Sequence, residues 1–136
     1  MKLLITTLTF MFINFEVLAN MGQYYQFCNI LKNNNYSVEG LDSSNKMKAS
    51  MCVSKFSSYA TLGFRNCQML RYALKKNKIT KDNFIFLTNG MATSEINAKK
   101  LIPSFLIYMN MNPKFAKERT TWHLTHFGSK VFPCNL

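Results

Sequence analysis

Two histidines near the C-terminus have a spacing that suits metal chemistry. His123 and His126 stand three positions apart, so on a helix they share a face and can reach one ion. A third ligand is missing, because Glu118 precedes His123 by five residues and falls on another face. The structural interpretation places His123 at the edge of the core and His126 near solvent. We predict no metal site and no cofactor.

Nucleophilic and acid–base catalysis also lack suitable residues. A cysteine–histidine pair needs a free thiol, and an even number of cysteines leaves none once they pair in an oxidising compartment. Without its first 19 residues the chain keeps five scattered acidic residues, Glu39, Asp42, Asp82, Glu95 and Glu118. Two or three of them stand where helices begin. We predict a protein that is not an enzyme.

A basic segment is the main candidate for binding. Within residues 71–81, RYALKKNKITK, the end of a predicted helix is surrounded by Lys75, Lys76, Lys78 and Lys81. One interpretation is a solvated helix end, where the helix dipole favours positive charge. The other is a docking patch for an acidic partner, since rim charges accelerate encounter and aid specificity. Tyr72, Tyr108 and Trp122 are candidate anchors, because Trp and Tyr are enriched at hot spots, although each also suits a core.

The N-terminus, MKLLITTLTFMFINFEVLAN, has the three-part layout of a secretory signal. Lys2 is a positive start, residues 3–15 are an apolar run, and residues 17–19 suit a signal peptidase. The run is short for a membrane span, with an uncleaved anchor as the alternative. We predict a signal peptide over residues 1–19 and one domain over 20–136. The mature protein is expected to be exported, without stable membrane insertion.

The net charge limits the classes of partner, and the composition indicates the type of fold. The formal charge of +11 is unchanged in the mature chain, because Lys2 and Glu16 are both removed. Such a charge commonly indicates nucleic acid. Export makes an acidic protein, an anionic membrane surface or the cell-wall polymer a better candidate, so we predict no nucleic-acid partner. With 12 Phe, 9 Met and only 5 Gly, the composition favours a packed helical body.

Four cysteines behind an export signal predict two disulfides. If Cys52 and Cys67 share one continuous helix, the fifteen residues between them span about 22 Å. That is too far for a disulfide, which needs Cα atoms within about 7 Å. A helical hairpin folded back across residues 33–43 brings Cys28 level with Cys52. We therefore predict the pairs Cys28–Cys52 and Cys67–Cys134.

The elements that must position these residues follow from apolar spacing. The central helix, residues 51–74 and on to about Lys76, carries a stripe at steps of three and four: Cys52, Phe56, Tyr59, Ala60, Gly63, Cys67, Leu70 and Leu74. A short first helix covers residues 21–33. Asp42, Ser43 or Ser44 caps the central helix. Its Gly63 indicates close approach of a neighbouring helix, or a kink.

The next stretch predicts a brief helical turn and a longer helix. The turn begins within residues 80–82 and ends at residues 89–90, Asn-Gly. Thr93 or Ser94 then caps a helix with Glu95 in its first turn. Pro103 lies inside the pattern of that helix and is expected to bend or split it.

The last helix begins with an Asn cap at Asn112 and Pro113 at its first position. Pro133 ends it, and Cys134 anchors the tail. Neither strand-length alternation nor an internal repeat is present in the sequence. We predict an all-α fold, a small disulfide-bonded bundle of four to five helices.

Two stretches, MCVSKFSSYATLGF and INAKKLIPSFLIYMNMNPKFAKERTTWHLTHFGSKVFPC, carry a resemblance to a known family. The chain resembles the Rap/Tai type (Rap1a-like) of type VI secretion immunity proteins. In the family's middle helix a cysteine and an aromatic residue precede a glycine, and here these are Cys52, Tyr59 and Gly63. Residues 109–113 match the hydrophobic helix that ends in an Asn-Pro step, and residues 132–134 match the Phe-Pro-Cys end of the last helix. The family's third cysteine has no counterpart at residues 89–91, Asn-Gly-Met, so Cys67 would replace it.

The resemblance implies a periplasmic immunity protein, commonly a dimer, that binds a toxic effector. The effector is often a peptidoglycan amidase, whose active site the inhibitor covers to protect the cell and its kin. One alternative is an acid-stress-type helical chaperone, although five mature acidic residues make an acid switch hard to build. Others are a cationic secreted defence protein that acts on membranes or nucleic acid, and a hydrolase with an unrecognised site.

Overall fold

The computed structural model describes residues 19–89 and 92–135, apart from the side chains of Thr121 and Trp122. The predicted signal peptide lies outside these residues except for Ala19, and so does Gly90 of the predicted turn. Over the described ranges the chain is helical without strands, which confirms the all-α prediction. The elements are α1 (Met21–Asn33), α2 (Ser43–Lys75), α3 (Lys81–Thr88), α4 (Ala98–Met111), a 3-10 helix (Pro113–Lys117) and α5 (Thr120–Val131). None of the described helices is long and apolar enough to cross a bilayer.

Helix α1 has the bounds that the sequence predicts, and a capping box explains where it begins. The Asn20 side chain accepts the Gln23 amide at 2.9 Å, while the Gln23 side chain accepts the Asn20 amide at 2.8 Å. Two otherwise unpaired backbone donors are thereby satisfied. The buried face of α1 then packs on α2 and the core through Tyr24, Cys28 and Leu31.

Helix α2 is the longest element, 33 residues or about 50 Å. Of the three candidate caps, Asp42 is the one that acts, since its carboxylate accepts the amides of Ser44 and Asn45 at 3.0 and 3.1 Å. These donors, the Asn45 amide foremost, lower the pKa of Asp42. The predicted stripe is confirmed: its fully buried members are Cys52, Phe56, Ala60, Gly63 and Cys67, and Tyr59, Leu70 and Leu74 are half-buried.

The predicted start of α4 is wrong by about four residues. Neither Thr93 nor Ser94 caps a helix, because their amides donate to the carbonyls of Gly63 and Phe132, both at 3.0 Å, which holds this segment extended. Asn97 is the cap and accepts the Lys100 amide at 3.1 Å. The helix is also not split at Pro103. Its buried residues on both sides of the proline, Leu101, Ile102, Phe105 and Leu106, outweigh the one hydrogen bond that proline lacks.

The last helix also begins later than predicted. Pro113 opens the short 3-10 helix, and α5 begins only at Thr120. The cause is a contact with the residues at the start of α1: Arg119 forms an isolated β-bridge with Asn20, and the Met21 amide donates to the Glu118 carbonyl at 3.1 Å. That pairing needs extended backbone, which interrupts the helix. At the other end α5 stops before Pro133, as predicted.

Two buried clusters hold the bundle together. The larger one lies between α1, α2, α4 and α5, with Phe56 and Phe105 at a ring-centroid distance of 4.8 Å and Phe127 at 5.9 Å from Phe105. The smaller one surrounds the second disulfide and contains Cys67, Phe84, Ala92 and Cys134. The C-terminal half of α2 therefore rests on a separate, disulfide-centred core.

Candidate functional site

Both predicted disulfide pairs are confirmed. Cys28 and Cys52 have Cα atoms 5.3 Å apart, and those of Cys67 and Cys134 are 5.7 Å apart. All four cysteines are buried. A thiol nucleophile is therefore excluded in this oxidised form, and the cysteines act as structural links that join α1 and the segment after α5 to α2.

The two histidines of α5 contact other residues of the fold. The half-buried His123 ring lies 4.7 Å from the Phe115 ring centroid, and its Nδ1 is buried without a hydrogen-bond partner among the described residues. The carbonyl of His126 accepts Ser129 Oγ at 3.1 Å, a bond within the helix. In the ranges that the structure describes, no three His, Cys, Asp or Glu side chains are grouped as metal ligands.

The four lysines of the predicted patch converge on one turn of the chain. Helix α2 ends at Lys75 and α3 begins at Lys81, and the short connection between them turns at Asn77, which has a φ of 52°. Each of the four lysine side chains, Lys75, Lys76, Lys78 and Lys81, is exposed. We call this turn and its four lysines the basic end. Tyr72 belongs to it, because Lys76 Nζ lies 5.9 Å from the Tyr72 ring centroid and the tyrosine is 62% exposed.

The other two predicted anchors do not form a demonstrated unit with Tyr72. Tyr108 is half-buried against the main core, stacked on Phe115 at 5.9 Å and close to Phe127 at 5.1 Å. Burial raises the pKa of its hydroxyl. Trp122 belongs to α5, but its side chain is not among those described. Tyr72 is thus the only one of the three with the described exposure that an anchor requires.

Sequence reasoning misses a second stripe on α2, which we call the outer stripe: Leu62, Arg65, Met69, Tyr72 and Lys76. All five side chains are exposed, on the face of α2 away from the buried stripe. Their spacing alternates between three and four residues, which places them in one line along a helix. The spacing of these five residues is visible in the sequence, but their exposure is known only from the fold.

Two shallow hollows lie along the flank of the outer stripe. One, of about 220 Å³, is bounded by α2 and α5 through Leu62, Asn66 and Leu124. The other, of about 160 Å³, is bounded by α2 and α3 through Asn66, Met69 and Leu87. Because Asn66 lines both, the hollows adjoin and follow α2 past Leu62 and Met69. The arrangement suits the seating of side chains from another molecule.

Comparisons with protein-family models, with curated proteins and with solved structures find no match to this chain.

Proposed function

We propose that this protein is an exported, non-catalytic immunity protein that binds a type VI secretion effector, of the peptidoglycan-amidase class, and covers its active site. In this proposal it works in the periplasm, where oxidising conditions maintain its two disulfides. The family resemblance supplies the class of effector. The exposed lysines and the exposed tyrosine of the basic end are the reason to expect a protein partner.

The observation that carries the proposal is the basic end of α2. Its four lysines are exposed, Lys76 Nζ lies 5.9 Å from the centroid of the exposed Tyr72 ring, and the sequence has no acidic residue between Asp42 and Asp82 to neutralise them. Such a surface favours an acidic partner, because complementary charge steers encounter and suppresses wrong pairings. Tyr72 adds an aromatic side chain of the kind that dominates interface energetics.

The basic end is also held in place before any partner arrives. Arg71 donates from Nε and Nη2 to the Asn135 carbonyl at 2.9 and 2.5 Å, one residue beyond the disulfide between Cys67 and Cys134. These links tie the C-terminal tail to α2 just before Tyr72. A surface ordered in the free protein loses less conformational entropy on binding, which favours affinity.

Direct binding and inhibition test the proposal. The purified mature protein is mixed with the effector encoded beside its gene, and the complex is measured by calorimetry while peptidoglycan cleavage is followed in parallel. We expect a stoichiometric complex and loss of cleavage. Failure to bind any neighbouring effector would count against the proposal. Leakage of anionic vesicles caused by the protein alone would instead favour the cationic defence alternative.

A further inference from the structure

The outer stripe of α2 is exposed among the residues that the structure describes, and it has the form of a helix-docking surface. We propose that it binds one amphipathic helix with acidic flanks, contributed by a partner protein. This inference rests on the proposed function in one respect, namely that it assigns the helix to the effector. The chemistry of the surface stands on its own residues.

Exposure and spacing carry the first step. Leu62, Met69 and Tyr72 are 59%, 70% and 62% exposed, although they lie on a helix whose other face packs on the core. The stripe from Leu62 to Lys76 advances by about 21 Å, because each residue of an α-helix rises ~1.5 Å. Three of the five positions, Leu62, Met69 and Tyr72, are apolar, and positions at steps of three and four line the seam that one helix presents to another. The stripe therefore has the length and periodicity for roughly four turns of a partner helix.

The adjoining hollows carry the second step. The hollow beside Leu62 measures about 220 Å³ and the one beside Met69 about 160 Å³. Both open along the same flank of α2, with Leu124 of α5 and Leu87 of α3 on their far sides. Large apolar side chains of an incoming helix can seat in such concavities, as in other grooves that bind an amphipathic helix.

Charge carries the third step and selects the occupant. Helix α2 has six basic residues and no acidic one: Lys46, Lys48, Lys55, Arg65, Arg71 and Lys75. Within the stripe, Arg65 alternates with Leu62 and Met69, and Lys76 follows Tyr72. A second copy of this chain would bring like charges together, which opposes association. Acidic residues beside an apolar seam complement the stripe.

A synthetic peptide tests the surface without an identified effector. The probe is a labelled helical peptide of about 18 residues, with leucines at steps of three and four and glutamates on either side. Binding to the full mature chain is followed by fluorescence anisotropy at low salt. We expect the double variant Leu62→Asp, Met69→Asp to weaken binding at least tenfold. A peptide with lysines in place of the glutamates should bind at least tenfold more weakly than the acidic one.

The matched control is Ile107→Asp, Met111→Asp on α4. These side chains are 61% and 76% exposed, so the control changes charge and exposed apolar surface as the stripe variant does. We expect it to bind the peptide within twofold of the wild type. Urea unfolding midpoints and disulfide content verify that both variants fold, and Leu62→Ala, Met69→Ala replaces the aspartates if they do not.

Several results would overturn the docking surface. The first is that the wild-type protein does not bind the acidic peptide. The second is that the stripe variant and the control variant lose the same amount of peptide binding. The third is that the wild-type protein forms a dimer and the stripe variant is a monomer. Binding to anionic vesicles that the stripe variant abolishes would assign the surface to lipid and also overturn it. If the neighbouring effector binds the stripe variant as well as the wild type, the assignment of the helix to the effector is refuted while the immunity function stands. If no effector binds, but the acidic peptide binds and the stripe variant weakens that binding, the proposed immunity function is refuted and the docking surface stands.

Discussion

Thr93 lies in direct contact with Gly63. Its amide donates to the Gly63 carbonyl at 3.0 Å, and a Cβ on residue 63 would stand 2.5 Å from Thr93 Oγ1. The close approach predicted for Gly63 is therefore real, but the neighbour is an extended segment and not a helix. This contact brings the chain before α4 across α2, next to the disulfide of Cys67.

A side chain at position 63 should destabilise the protein. We expect Gly63→Ala to lower the free energy of unfolding by about 1–3 kcal/mol, the usual range for an overpacked site. In a Thr93→Ala background the same change should be close to neutral, because the clash with Oγ1 is removed and Ala is favoured over Gly in a helix by about 1 kcal/mol. Urea unfolding of all four proteins measures the coupling. Equal costs in both backgrounds would show that this contact is not the cause.

Loss of each disulfide should cost stability in the order of loop length. The separations are 67 residues for Cys67–Cys134 and 24 for Cys28–Cys52. In the chain-entropy description these correspond to about 4.4 and about 3.4 kcal/mol. We expect the double variant Cys67→Ala, Cys134→Ala to unfold at lower urea than Cys28→Ala, Cys52→Ala. The reverse order would mean that packing in the main core dominates over loop closure.

The bounds of α1, the long α2 and both disulfide pairs could be predicted from the sequence because local periodicity decides them. The apolar stripe of α2 repeats often enough that only a helix can bury it, and a helix that long keeps Cys52 away from Cys67. Asn20 and Asp42 also sit within three residues of the donors that they cap. Such short-range hydrogen bonds can be predicted without knowledge of the fold.

The misplaced starts of α4 and α5 have a non-local cause. Ser94 donates to the carbonyl of Phe132 and Arg119 pairs with Asn20, across 38 and 99 residues of sequence. No local pattern announces such partners. The outer stripe is a different case, since its spacing is visible in the sequence but only the fold shows that nothing in the described chain covers it. An exposed Met69 and a buried one look alike until the packing is known.

Tyr59 should make the protein sensitive to alkali. Burial raises its pKa from 10.0 to about 12, and its hydroxyl donates to the Thr125 carbonyl at 3.3 Å. The pKa of Tyr59 is higher in the folded state than in the unfolded state. The contribution of the neutral Tyr59 hydroxyl to the free energy of unfolding is therefore fully present below pH 10 and is lost as the pH rises toward 12. Because Tyr59 is only part-buried, we expect a loss on the order of 1–2 kcal/mol.

Comparison with Tyr59→Phe isolates this effect from the other groups that titrate in alkali. The variant is expected to be less stable at neutral pH by about 1 kcal/mol, the value of one hydrogen bond. Its stability should then fall less steeply than that of the wild type above pH 10. Parallel curves from urea unfolding at each pH would remove Tyr59 as the origin of the alkaline transition.

The basic end should govern how fast the proposed effector is captured. We expect Lys75→Gln, Lys76→Gln, Lys78→Gln to lower the association rate constant about tenfold at low salt and to change the dissociation rate constant less than twofold, because rim charges act mainly on encounter. Stopped-flow fluorescence measures both, and the difference from the wild type should shrink as salt is added. The control changes three exposed lysines on α2's first turn and the 3-10 helix, Lys46, Lys114 and Lys117, and so removes the same charge elsewhere. If both triple variants slow association equally, net charge and not the basic end steers the partner.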